Sequence, residues 1–407
     1  MLKTTTYLVI LTVSFLASCE SAEERTESTP INHFDQQKRV IYDFSSEIEK
    51  RLSSNTTDYG NDNAAIEYAN VGAYFKALEI FDHSYPPVSD RQVYFDSSNF
   101  NFLPAIDYVV KEASKNQVVI INEAHHVPYH RFFTMLLLKK LRAKGFNYFG
   151  VETLSEYDGT IQHKKYPTMT SGYYSTEPQY GNLLRKAVNT GYEVFSYEPN
   201  GVVDGMQREI GQAKNIKKIL DKNPDAKILI HCGYAHLYEG EVEGWGKAMA
   251  GRLTEYTGID PLTIDQVELT EHFCKDYENP FFQKMNFKQF TVPANNGKKL
   301  PTSFRLDGHN SDIFVFHPRT KLKFNRPHWL FDYYVPRFIS NEVNIPFPVL
   351  VKAFVSTEDE NVAVPVDVIE INERSDSTAL ALIPKTSYKV IIESKDKQKQ
   401  TLEFVLE

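Results

Sequence analysis

The chain has 407 residues, room for two or three domains with a real core. Its 42% hydrophobic and 24% charged residues are ordinary for a globular protein. A net charge of −8 with no basic run argues against nucleic acid, because phosphate binding needs clustered Lys and Arg.

The first segment is Met1-Leu2-Lys3 followed by an apolar run from Tyr7 to Phe15. A positive head before a brief apolar stretch predicts an export signal over residues 1–18. The run is too short for a spanning helix, which needs about 20 apolar residues. It ends in Leu16-Ala17-Ser18-Cys19, which resembles the lipobox of bacterial lipoproteins. That resemblance implies lipidation of Cys19 and a membrane anchor in the cell envelope, at the outer membrane. The acidic stretch Glu20-Ser21-Ala22-Glu23-Glu24 resembles the surface-export signal of Bacteroidetes lipoproteins, and reads equally as a solvated tether over 19–35. No later segment is apolar enough to cross a bilayer. Cys232 and Cys274 remain, and their spacing leaves open whether they pair.

Residues 36–90 read as a helical hairpin. Val40, Ile41, Phe44, Ile48 and Leu52 recur at helical spacing. A second helical stretch covers 64–83, where Tyr68-x3-Gly72-x-Tyr74-x2-Ala77-Leu78 resembles part of one tetratricopeptide repeat.

Residues 91–300 alternate between short β-branched runs and helical patterns. Strands are expected at Val118–Ile121, Tyr148–Val151, Glu193–Tyr197, Lys227–Ile230 and Leu262–Ile264. Helices are expected at Pro128–Lys144, near 180–190, at about 204–221 and near 245–257. This alternation predicts an α/β fold, a mostly parallel sheet with flanking helices. Over 301–407 helices fade. Strands are expected at Asp312–Phe316, Val349–Val355, Val364–Ile371, Ala379–Ile383, Tyr388–Glu393 and Leu402–Leu406, suggesting a small C-terminal all-β sandwich.

The chemistry gathers at the ends of the predicted parallel strands, where open α/β sheets bind ligands. The first strand runs into Asn122-Glu123-Ala124-His125-His126-Val127-Pro128-Tyr129-His130. The second ends at Glu152, the third at Glu198, and the fourth at His231, with His236 just beyond. Each has a structural reading too. Glu123 can cap a helix, His130 can lie on a helix surface, Glu152 and Glu198 can pair with Arg208, and His231 can be a core histidine. Together they suit either of two chemistries. One is a Zn, Mn, Fe or Co site. The other is general-base hydrolysis by a His that a Glu orients.

Glu123-x-His125 with Pro128 and His130 resembles the signature of ChaN-type haem-binding lipoproteins. The same stretch with Phe132-Phe133 resembles erythromycin esterases, whose signature falls on His126. Glu152, the segment from Arg208 to Ile216, and Ile230–His236 resemble later elements of these families, with Tiki metalloproteases as a further branch. Asn122 stands where the families carry Gly. The resemblance implies three alternatives. The first is a hydrolase of ester or peptide bonds using Glu123, His125 or His126, Glu152, Glu198, Arg208 and His236, with or without a divalent metal (Zn, Mn or Co). The second is a haem-binding lipoprotein with Glu123, His125, His130, His231 and His236 near the metal or haem, and Tyr173, Tyr174 or Tyr180 lining the pocket. The third is a silent scaffold. The partners implied are a small-molecule or peptide substrate, or haem, and a membrane through the lipid.

Overall fold

The computed structural model describes residues 42–54, 60–88, 97–155, 161–201, 203–295, 304–305 and 309–407. The expected export signal, Cys19 and the acidic tether lie outside the described residues, as do Val40 and Ile41. Among the described residues no helix is long and apolar enough to cross a membrane.

Two strands that open on apolar runs build the centre of the α/β part. β2 (Val118–Glu123) and β5 (Ile228–Gly233) are buried at every position. Strands covered on both faces read this way, because no side chain meets water. β1 (Phe100–Pro104) instead pairs antiparallel with β7 (Thr291–Asn295). β3 (Tyr148–Val151), β4 (Glu193–Ser196), β6 (Leu262–Asp265) and β8 (Ile313–Phe314) join β2 and β5. The result is a six-stranded parallel sheet in the order β8-β6-β2-β5-β3-β4.

Alternation sorts the residues of β2 onto two faces. Val119 and Ile121 join a core with helices α4 (Ala105–Ala113), α5 (Pro128–Arg142) and α6 (Pro178–Thr190). Val118 and Ile120 join the opposite core with α7 (Gly205–Lys222) and α8 (Met249–Thr257). Glu177 caps α6 by accepting from the Tyr180 amide at 2.8 Å, and Pro178 opens its first turn.

Ahead of the sheet lies α1 (Ser45–Ser53). The single stretch expected over 64–83 is two helices, α2 (Asn61–Asn70) and α3 (Tyr74–Asp82). The chain turns at Gly72, whose φ of +76° suits glycine. A side chain there would also collide with the Val368 carbonyl, 2.3 Å from an ideal Cβ.

β8 lies in a segment expected to belong to the C-terminal β region. It runs parallel to β6 instead, with Asp312 accepting from the Thr263 amide at 2.9 Å. Beyond it, β10 (Val349–Val355), β11 (Asp367–Ile371), β13 (Thr386–Ser394) and β14 (Lys399–Leu406) form an antiparallel sheet ordered β11-β10-β13-β14. A ribbon of β9 (Val335–Arg337) and β12 (Leu380–Leu382) adds to its core. The buried pair Arg326–Asp367, at 2.9 and 3.1 Å, lies beside the Tyr74 ring of α3. Cys232 is buried, Cys274 is exposed, and both are free thiols.

Candidate active site

Parallel strands share one carboxyl edge, and the register fixes which residues meet there. Glu123 at the end of β2 lies beside Gly233 at the end of β5. Val151 of β3 lies beside His231 of β5, so Glu152 continues onto the same edge. Glu198 follows β4 two residues on.

Glu123 organises the first half of this rim. Its Oε1 is 3.0 Å from Nδ1 of His125, and its Oε2 is 2.9 Å from Nε2 of His231. Arg131 on α5 grips both oxygens, through Nε at 2.7 Å and Nη2 at 2.8 Å. Its other donors reach Glu177 Oε2 at 2.9 Å and the His125 carbonyl at 2.8 Å. The Arg131 side chain is 1% exposed. Burial alone would protonate Glu123, but Arg131 outweighs it and holds the carboxyl well below its usual range. Burial raises the Glu177 carboxyl, with Arg131 opposing.

An ionised Glu123 only accepts, so the imidazole nitrogens facing it carry the protons. In the neutral His125 ring that leaves the lone pair on Nε2, and this atom makes no hydrogen bond with a described residue. The ring lies flat on Tyr174, with centroids 3.8 Å apart, and edge-on to Tyr234 at 5.0 Å. Its side chain is 13% exposed.

The second half surrounds Arg208 on α7. Nη2 donates to Glu152 Oε1 at 2.8 Å and to Glu198 Oε1 at 2.7 Å, and Nε donates to Glu198 Oε2 at 3.1 Å. Gln212 and the Thr153 amide also donate to Glu198. The second oxygen of Glu152 accepts from the Gly233 amide. Burial opposes the Glu152 charge, but His236 and Arg208 outweigh it and keep the carboxyl well below its usual range.

His236 donates through Nδ1 to Glu209, 2.9 Å away, and stacks on Trp245. Burial disfavours its imidazolium, but the carboxylates of Glu152 and Glu209 outweigh burial and hold the pKa up to about 9. The 3.1 Å approach of Arg208 Nη1 to Nε2 suits the neutral ring instead. Holding the second proton requires the guanidinium to move aside, and its 29% side-chain exposure leaves room for that.

Gly233 separates the two halves. An ideal Cβ there would lie 2.3 Å from His125 Cε1 and 2.9 Å from Glu152 Oε2. Glycine is thus required by close approach rather than by backbone conformation.

The rim brings together Glu123, His125, His231, Glu152, Glu198, Arg208 and His236. It does not include His126 or His130. In the turn after β2 His125 points inward, and His126 points the other way and stacks on Phe81 at 3.5 Å. His130 sits in the core, where Nδ1 accepts from the Ala124 amide at 3.0 Å and the ring meets His317 at 4.9 Å. Burial pushes both pKa values well down, so both rings are neutral. The expected catalytic residue His126 and the expected metal or haem residue His130 therefore both lie off the rim. Tyr180 donates to the Glu152 carbonyl at 3.2 Å, and Tyr173 sits edge-on to Tyr174 at 5.0 Å, so these rings pack onto the rim.

Arg131, Glu177 and Trp245 escaped the sequence reading, and Glu209 entered it only as part of the Arg208–Ile216 segment. Arg131 follows His130 one turn into a helix that otherwise reads as apolar, and an arginine inside such a run is the missed signal. Glu177 stands before Pro178 at the start of α6, and nothing in that pair points to Arg131 as its partner.

A divalent metal does not fit this donor set. Among the described residues no three His, Cys, Asp or Glu side chains are grouped to hold one. The positions a cation would take between the carboxylates are filled by the guanidiniums of Arg131 and Arg208.

No family model matches the sequence, and no curated protein matches it. Solved structures similar to the chain include the type III effector HopBA1, at 15% identity and a TM-score of 0.32 over 54% of this chain and 98% of that one. Another is RRSP, a MARTX toxin effector domain from Vibrio vulnificus CMCP6, at 15% and 0.28 over 47% and 42%. A third is described as bacterial protein toxins, at 12% and 0.29 over 51% and 44%. The chain spans less than half the length of the latter two. All three likenesses are distant and none bears on the chemistry.

Proposed function

We propose that the rim hydrolyses an ester or peptide bond with His125 as general base. The observation that carries this reading is the His125 ring itself. Nδ1 is tied to an ionised Glu123, and Nε2, beside Gly233, makes no hydrogen bond with a described residue. Nε2 takes a proton from water as the water oxygen attacks the carbonyl carbon. The resulting imidazolium is balanced by Glu123, and its proton then passes to the departing oxygen or nitrogen. Arg208, the partly exposed cation of the rim, faces the developing oxyanion or a substrate carboxylate. Glu209 and Trp245 fix the His236 ring behind it.

The sequence resemblance supports the same reading, with the α/β part as an erythromycin esterase or ChaN-like fold and the C-terminal strands as a small sandwich. The lipobox-like start supports an export signal, lipid on Cys19 and residence in the cell envelope.

The test is turnover of a panel of small esters and peptides by the lipid-free chain of residues 20–407, together with elemental analysis and absorbance. Activity lost in His125→Ala and retained in His126→Ala supports the reading. Equal activity in His125→Ala and wild type removes it. Stoichiometric metal would return a metallohydrolase to consideration, and a Soret band a haem carrier.

A further inference from the structure

A cavity lies away from the rim and shares none of its residues. It opens between α6 and the C-terminal sheet and holds about 380 Å³. Close-packed interiors leave few voids larger than a water molecule, while ligand sites of this size favour the seams between structural units. We propose that it binds a small amphipathic anion, an apolar tail ending in a carboxylate, sulfate or phosphate.

The floor is apolar. Met135, Tyr334, Val366, Leu382 and Tyr388 line it and are buried. The Tyr334 hydroxyl lies 3.2 Å from Gln179 Oε1, and the Tyr388 hydroxyl donates to the Ile383 carbonyl at 3.0 Å. With those hydroxyls engaged by protein partners, the floor offers ring faces and aliphatic carbon to an apolar tail.

The mouth is cationic. Lys164, Lys165 and Lys186 reach it, and among the described lining residues Glu358 is the acid. Arg185 already neutralises Glu358, with Nε 2.8 Å from Oε1 and Nη2 on Oε2. Lys186 Nζ lies 3.4 Å from the Tyr333 hydroxyl. None of the three lysines forms an ion pair with a described residue. Asp359 lies near Lys164 but is fully exposed, where water screens it. Three ammonium groups around one opening repel each other, and a bound anion relieves that repulsion.

The probes are decanoate and decyltrimethylammonium, which share a tail and differ in the sign of the head. Calorimetric titration into the same lipid-free chain should show saturable one-site binding of decanoate that weakens as salt is added. The cation should bind at least tenfold more weakly. The triple variant Lys164→Glu, Lys165→Glu, Lys186→Glu keeps the fold, because its positions are exposed or half-buried. It should lose decanoate affinity at least tenfold. The proposal is overturned by absence of saturable decanoate binding, by equal binding of the two probes, or by a triple variant that binds decanoate like wild type.

Discussion

The two halves of the rim use the same three side-chain types to different ends. Around Glu123, the carboxylate, the His231 imidazole and the Arg131 guanidinium are sealed in, with Arg131 1% exposed and His125 at their edge. Around Glu152 and Glu198 the same types meet water through Arg208, which is 29% exposed. A sealed network holds one geometry and tolerates no missing partner. A half-open one can meet a substrate and move a proton. The first half therefore orients His125, and the second receives what His125 acts on.

The largest effect should come from breaking the sealed half. Arg131→Leu leaves the buried carboxyls of Glu123 and Glu177 without their guanidinium partner, and should destabilise the fold by about 3–5 kcal/mol. Urea unfolding measures this. Adding Glu123→Gln should recover part of the loss, and an additive double variant would show that the two residues do not form one unit.

Next, His125→Ala should lower turnover of a hydrolysed substrate by roughly 10²–10⁴-fold with little change in unfolding midpoint. Gly233→Ala tests the boundary between the halves. Its Cβ would displace His125 or Glu152, so turnover should fall although neither side chain is altered.

The half-open side should respond to pH. The His236 pKa is raised from 6.5 to about 9, so its stabilising contribution is complete below pH 6.5 and is lost as pH rises through 9. At about 1.4 kcal/mol per unit the whole span is worth about 3 kcal/mol. His236→Gln should flatten the stability profile between pH 6.5 and 9, and an unchanged slope would show that the proton is not held there. The smallest effect is expected from Arg208→Lys. Exposure discounts its ion pairs to about 1 kcal/mol of stability, but the fork that spans Glu152 and Glu198 is lost. A rise in KM at nearly constant Tm is the expected signature.

Much of this architecture was legible in the sequence because it follows from periodicity. The short runs expected at 118–121 and 227–230 mark central parallel strands, and the acids and histidines just beyond them mark the rim. What could not be read depends on direction in space. Nothing in the doublet His125-His126 states which ring turns inward. That was decided by Phe81, which comes from a helix more than forty residues earlier. Arg131 was hidden because an apolar helix pattern makes its arginine look like a surface residue. β8 was misplaced because two paired residues carry too little periodicity to show which sheet they join.

The position of β8 also bears on how the protein is made. Sheet assembly begins with residues near 118 and ends with a strand at 313–314, and the Thr291–Phe316 bridge closes beside it. A nascent chain halted at 300 would present β6 with an unpaired edge, open to pairing with a neighbouring chain. Contacts of such long sequence separation form slowly. The interval between synthesis of β2 and arrival of β8 is therefore when the sheet edge stands open to mispairing.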